Sequence, residues 1–317
     1  MSPIAYERGL HELGEGLFAY LQPHGGWGWS NAGLVTADGT SLLIDTLFDL
    51  RLTREMLDAM AKVTARNPIG AAVNTHGDPD HCFGNQLLPR GIDLYATSAA
   101  AKALSGVRPA LVAGMFASDD LGEDFSAFAR RCFGAFDFRD IELRVADKTF
   151  DSSLDVLVGD RVLRLIELGP AHTAGDAIVH VPDADVVFTG DLIFVDGTPL
   201  IWEGPVATWL AACEQIRLLD ARILVPGHGP VSDASSIAEV ERYLTYVRDE
   251  ARARFDAGMD ADAAADDIDL ADFAGLGDPE RIVANVHSLY REFDPSLPAS
   301  TVPEQFVRMA RWASRHR

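Results

Sequence analysis

Within six positions the chain sets two histidines and two aspartates, His76-Gly77-Asp78-Pro79-Asp80-His81, directly after the short run Ala72-Val73-Asn74-Thr75. Imidazoles alternating with carboxylates are ready ligands for a divalent cation such as zinc, and a turn punctuated by glycine and proline places them at the mouth of a fold. A polar surface turn is the bland alternative. Three later segments weigh against it: Gly169-Pro170-Ala171-His172-Thr173-Ala174-Gly175-Asp176, Val186-Val187-Phe188-Thr189-Gly190-Asp191 and Leu224-Val225-Pro226-Gly227-His228-Gly229. Each sets a His or Asp just past an apolar strand, beside glycines that permit close backbone approach.

Taken in order, the four segments resemble the metallo-β-lactamase superfamily: a His-x-His-x-Asp-His signature, a lone His, a strand-ending Asp and a final Pro-Gly-His. The likeness runs over roughly residues 15 to 230. It implies an α/β fold of the αββα sandwich type. It also implies one metal site from His76, Asp78 and His172, a second from Asp80, His81 and His228, and Asp191 as a bridge between the ions. Asp80 and Asp191 are the implied catalytic carboxylates, Asp80 orienting the attacking water.

Asp78 departs from the pattern, since the family usually has His there. A carboxylate still ligates, but added oxygen ligation suits manganese or iron as well as zinc, so one or two ions are expected. A solvated turn residue beside Pro79 is the other reading of Asp78. Asp45, ending the run Leu42-Leu43-Ile44, matches a family carboxylate that orients a metal histidine or its loop; an ordinary helix cap is its alternative. Cys82 follows His81 and is either a ligand or a small buried packing residue.

Such ions lower the pKa of bound water and polarise a carbonyl, so the implied reaction is attack of a metal-bound hydroxide on an ester, thioester, lactone or amide. Stabilising an enolate would turn the same site to aldol cyclisation. The segment Phe194 to Pro205 with Trp209, and the loop Gly25-Gly26-Trp27, look similar to a bacterial subgroup that includes aromatic polyketide cyclase/thioesterases. A metal-stabilised binding protein that has lost one site is the non-enzymatic alternative.

The whole chain must position these groups. Its 317 residues, 48% hydrophobic, suffice for one large α/β domain with an appendage. A balance of 27 basic against 48 acidic residues, net −21, repels nucleic-acid phosphates and anionic lipid alike, leaving a small-molecule substrate as the expected partner. The start Met1-Ser2-Pro3-Ile4 carries no basic patch followed by an apolar run, so no secretory signal or membrane span is expected and the cytoplasm is the default location. Three scattered cysteines, Cys82, Cys132 and Cys213, fit reduced thiols.

The patterning predicts a strand over 16–21, a hairpin of 32–36 with 41–45 turned at Asp38-Gly39, and helices over 50–66 and 97–105. Short β-rich runs at 141–145, 154–158, 161–167, 177–181 and 185–190 predict a second sheet. Residues 1–232 form the expected catalytic domain, with a helical insertion at 106–138. Residues 233–317 form a helical region packed on it, with helices near 233–257, 279–293 and 303–315 broken by the acidic run 259–267. The glycine-loosened loop holding Trp27 and Trp29 is expected to wall the substrate or to pack on the sheet edge; His24 reads as a loop residue. Met115 and Phe116 of the insertion, with Trp202, are candidate contacts to a bulky apolar substrate. Burial in a homodimer is the rival account of the insertion.

Overall fold

The computed structural model describes residues 4–23 and 25–316. His24 lies outside the described residues. Seven strands make the first sheet in chain order: β1 (Gly9–Gly14), β2 (Leu17–Leu21), β3 (Ala32–Ala37), β4 (Thr40–Ile44), β5 (Ile69–Val73), β6 (Asp93–Thr97) and β7 (Lys148–Phe150). Pairing is antiparallel from β1 to β4 and parallel from β4 to β7. The β3–β4 hairpin turns on Asp38 (φ 43°) and Gly39 (φ 78°), the two successive left-handed residues that a tight hairpin requires. The second sheet holds β8 (Ser153–Val158), β9 (Arg161–Glu167), β10 (Ala177–Val181), β11 (Val186–Phe194) and β12 (Ile223–His228) in the order β12-β11-β10-β9-β8, antiparallel except for parallel β11–β12.

Both faces of each sheet are covered, which is why the central strands are apolar on both sides. Leu42 and Ile44 of β4 point between the sheets with Leu17, Val73, Leu165, Val179 and Phe188. Leu43, one residue on, faces outward to Leu52, Met56 and Met60 of α1 (Leu50–Thr64). Burying each such side chain contributes roughly 1.5–3 kcal/mol. Asp49 starts α1 by accepting from Leu52 N at 2.6 Å. The other helices before the second sheet are α2 (Pro79–Cys82), α3 (Ser98–Gly106), α4 (Pro109–Ala117) and α5 (Glu123–Phe133).

The outer face of the second sheet is covered by α6 (Val206–Leu218) and α7 (Ala234–Asp256), followed by α8 (Ala261–Asp267), α9 (Arg281–Phe293) and α10 (Val302–Arg315). Ile178, Val187 and Leu224 of that sheet share one core with Trp209, Tyr243, Ile282 and Phe306. The layers are therefore α/β/β/α, as expected. No helix among the described residues is long and apolar enough to cross a membrane.

Two expectations need correction. Residues 141–145 form no strand, because their polar groups are engaged by side chains instead: Asn85 donates to Arg144 O (3.1 Å) and Gln86 accepts from Glu142 N (2.5 Å). The strand lies later, at β7, and belongs to the first sheet. The acidic run 259–267 contains α8, started by Asp260 accepting from Ala263 N at 2.9 Å and anchored by buried Ala264 and Ala265. Two small residues suffice where α7 and α9 close over them.

Candidate metal centre

The centre forms where β5 and β12 end, beside Asp191 within β11. Asp45, with a left-handed φ of 61°, follows β4 and braces the loop after β5. Its carboxylate accepts from Thr75 N (2.7 Å), Thr75 Oγ1 (2.8 Å) and His81 Nδ1 (3.0 Å). The helix cap is Asp49, so Asp45 serves the histidine loop. Asn74 donates to His81 O (3.0 Å) and accepts from Asn85 Nδ2 (2.8 Å), fixing the turn into α2.

All four histidines are held by Nδ1. His172 Nδ1 donates to Leu200 O (2.6 Å), His228 Nδ1 to Gly25 O (3.0 Å) and His81 Nδ1 to the Asp45 carboxylate. Thr75 Oγ1 gives its hydrogen to Asp45, so it accepts from His76 Nδ1 at 3.0 Å. In its neutral form each ring then presents a lone pair at Nε2, the state a metal ligand needs.

Those Nε2 atoms converge on carboxylates. His76, His172 and Asp191 form one group and Asp80, His81 and His228 a second, the donor atoms of each lying within 4.8 Å of one another. Asp191 stands between them: Oδ2 is 3.5 Å from both His172 Nε2 and His228 Nε2, and Oδ1 is 3.2 Å from His81 Nε2. Asp78 and Asp80 flank it alike, Asp78 Oδ2 lying 3.3 Å from His172 Nε2 and Asp80 Oδ2 3.2 Å from His228 Nε2. Asp78 stands outside the tighter first group.

Lone pairs facing carboxylate oxygens at these distances repel unless a metal ion or a proton lies between them. Nε2 of His76, His81 and His172 and Oδ1 of Asp191 are buried with no hydrogen-bond partner. The residues present therefore fit divalent ions. The electrostatics agree. Burial depresses His81, but Asp191 and Asp80 outweigh it and raise the ring well above its ordinary value. Burial is outweighed again at His172, raised to about 9 beside Asp78 and Asp191. Burial pushes the Asp191 and Asp80 carboxyls up, yet the neighbouring histidines hold Asp191 well below the usual range and Asp80 at about 2.

Glycine makes the close approach of β11 and β12 feasible. A Cβ on Gly227 would sit 1.8 Å from Asp191 Oδ1. Cys82 belongs to neither ligand group, its Sγ donating to His76 O at 3.2 Å, and burial pushes its thiol up. It packs rather than ligates.

Above the centre opens a cavity of about 760 Å³. Asp78, Asp80, His172, Asp191 and His228 line its floor; Trp27, Met115, Phe116 and Trp202 are in its walls. Phe116 stacks on Phe133 at 3.9 Å and Trp27 packs on Phe306 at 5.3 Å. Trp29 is absent from this lining. It packs on Phe136 at 4.8 Å beneath Arg8, which corrects its expected place in the substrate wall. The sequence reading missed Arg281 and Phe306, both in the cavity lining. Arg281 lies over the Trp27 ring at 4.4 Å and donates to Thr198 O at 2.8 Å. Both belong to helices far along the chain, and no local motif marks them.

The geometry can be set beside known proteins. The chain is 23% identical over 267 residues to a linear primary-alkylsulfatase of Pseudomonas sp. (strain ATCC 19151), covering 75% of this chain and 49% of that protein. It is 44% identical over 50 residues to a hydroxyacylglutathione hydrolase of Brucella ovis, 16% of this chain and 20% of that one. The fold is similar to that of the stereoselective inverting sec-alkylsulfatase Pisa1 from Pseudomonas sp., with a TM-score of 0.68 at 16% identity over 92% of this chain and 51% of that one. The chain thus spans about half the length of these alkylsulfatases. Residues 25–228, which contain every histidine and aspartate of the centre, match the metallo-beta-lactamase superfamily, and the chain belongs to that superfamily.

Proposed function

We propose that the protein is a metal-dependent hydrolase that cleaves an ester, thioester, lactone or amide of a bulky apolar substrate. The observation that carries this reading is the buried Nε2 atoms of His76, His81 and His172 and Oδ1 of Asp191, without hydrogen-bond partners, beneath an apolar-walled cavity. His76, Asp78 and His172 would hold one ion and Asp80, His81 and His228 the other, with Asp191 shared; zinc is the first candidate, manganese or iron the next. Bound there, divalent ions lower the pKa of water toward neutrality and polarise the scissile carbonyl.

The chain's own residues do the rest. Asp80, held ionised at about 2, can only accept a hydrogen bond, which suits it to orient the attacking water. Asp191 keeps its negative charge at the centre. Asp45 and the carbonyls of Leu200 and Gly25 hold the rings so that Nε2 stays aimed inward. Trp27, Phe116 and Trp202 give an apolar body a dry surface on which to lie.

A sulfate ester is the second reading, favoured by the likeness to alkylsulfatases over most of this chain. One panel tests both: carboxylic esters, thioesters, lactones, amides and alkyl sulfates, assayed before chelation, after it, and after metal is restored. Turnover that chelation abolishes and metal restores supports the hydrolase, and the preferred ester separates the readings. Turnover that survives complete metal removal would sink both.

A further inference from the structure

α4 (Pro109–Ala117) is apolar on every side, yet none of its residues is buried. A helix of that composition normally lies in a core. Leu111 on α4 is 71% exposed and Val302, the first residue of α10, is 53% exposed; they are two of only five large apolar side chains so exposed among the described residues. Both line the cavity above the metal centre.

Exposure orders the cavity from mouth to floor. Leu111 and Val302 stand in solvent, Val112, Met115 and Phe116 are half-buried against the core, and Asp191 and His172 are 5% and 1% exposed. Leu111, Val112, Met115 and Phe116 fall on one stripe of α4, so a single apolar track runs from the surface to the reacting groups. Resting on the hydrolase reading above, we infer that the substrate is an ester or thioester of a long straight acyl chain, whose far end leaves the cavity between α4 and α10. Leu111 and Val302 then set the preferred chain length. The occupant is the substrate's own tail because the exposed pair is continuous with the proposed reaction cavity, which a second copy of the chain seated there would plug.

The test uses the full chain loaded with zinc and a series of straight-chain p-nitrophenyl esters from butanoyl to hexadecanoyl. Each methylene that finds apolar cover is worth up to roughly fourfold in kcat/KM, less where cover is partial. In wild type kcat/KM rises with length through the long esters. In the double variant Leu111→Ser, Val302→Ser the butanoyl ester is cleaved within about twofold of wild type, while the tetradecanoyl ester falls at least about tenfold. Equal losses at all lengths, or an unchanged tetradecanoyl rate, overturn the inference. So does a wild-type dimer that the variant dissolves while the length profile stays the same. Straight-chain carboxylates titrated by calorimetry probe the mouth without turnover. Affinity that climbs with length in wild type and flattens in the variant upholds the tail site even if no ester is cleaved, in which case the hydrolase reading alone fails. Affinity that is flat in both overturns the tail site.

Discussion

With Asp78 as a proposed ligand, the centre has an even donor set. Two imidazoles and one carboxylate stand on each side, His76, His172 and Asp78 against His81, His228 and Asp80, with Asp191 between. Asp78→His replaces an oxygen donor by a nitrogen donor on one side, so it should raise affinity for zinc relative to manganese at that site. Competition against a chelator measures this, and unchanged or weaker zinc binding would mean that Asp78 does not face the ion. Asp45→Asn leaves every proposed ligand in place but removes the charge behind His81 Nδ1 and Thr75 Oγ1. It should weaken metal binding about 10–100-fold, the usual cost of losing an orienting partner of a ligand. Wild-type affinity in that variant would make Asp45 a loop strut only. The proposed ligands were legible because histidine and aspartate at strand ends beside glycine are rare as accident. The hydrogen bonds that aim them were only partly so: Asp45 could be named, whereas the Leu200 and Gly25 carbonyls that hold His172 and His228 carry no side-chain signature.

At the scale of elements, the insertion was read as helical from its Phe, Met and Leu content, and it supplies α4 and α5. Phe125, Phe128 and Phe133 are buried and Phe116 lies over Phe133, so most of its apolar bulk packs within this chain. Met115→Ser with Phe116→Ser should lower kcat/KM for large acyl or aromatic esters at least about tenfold and for acetyl esters about twofold or less, since two apolar wall contacts go. Equal losses across the series would mean that the pair supports the fold and not the substrate. The element boundaries that reading the chain placed well are those with caps and alternation, as in the β3–β4 hairpin and α1. It failed at 141–145, where alternation was present but the neighbouring backbone was not. It failed again at α8, whose two buried alanines give no amphipathic signal.

At the scale of the molecule, the helices beyond β12 share the core that backs the centre and help wall the cavity, through Arg281 and Phe306. A sequence pass that stops at the last histidine assigns them no part in the site, because their contribution depends on chain reversal over some fifty residues and on no local motif. The sandwich, the proposed ligands and the apolar roof meet in the proposal made above, that residues of four separate segments hold two ions. Elemental analysis of protein purified without added metal, counted per chain for wild type, His81→Ala and His228→Ala, tests it most directly. The account predicts two ions in wild type and the loss of at least one in each variant, together with ester turnover. A wild-type chain without stoichiometric metal, or variants that keep both ions, would contradict it.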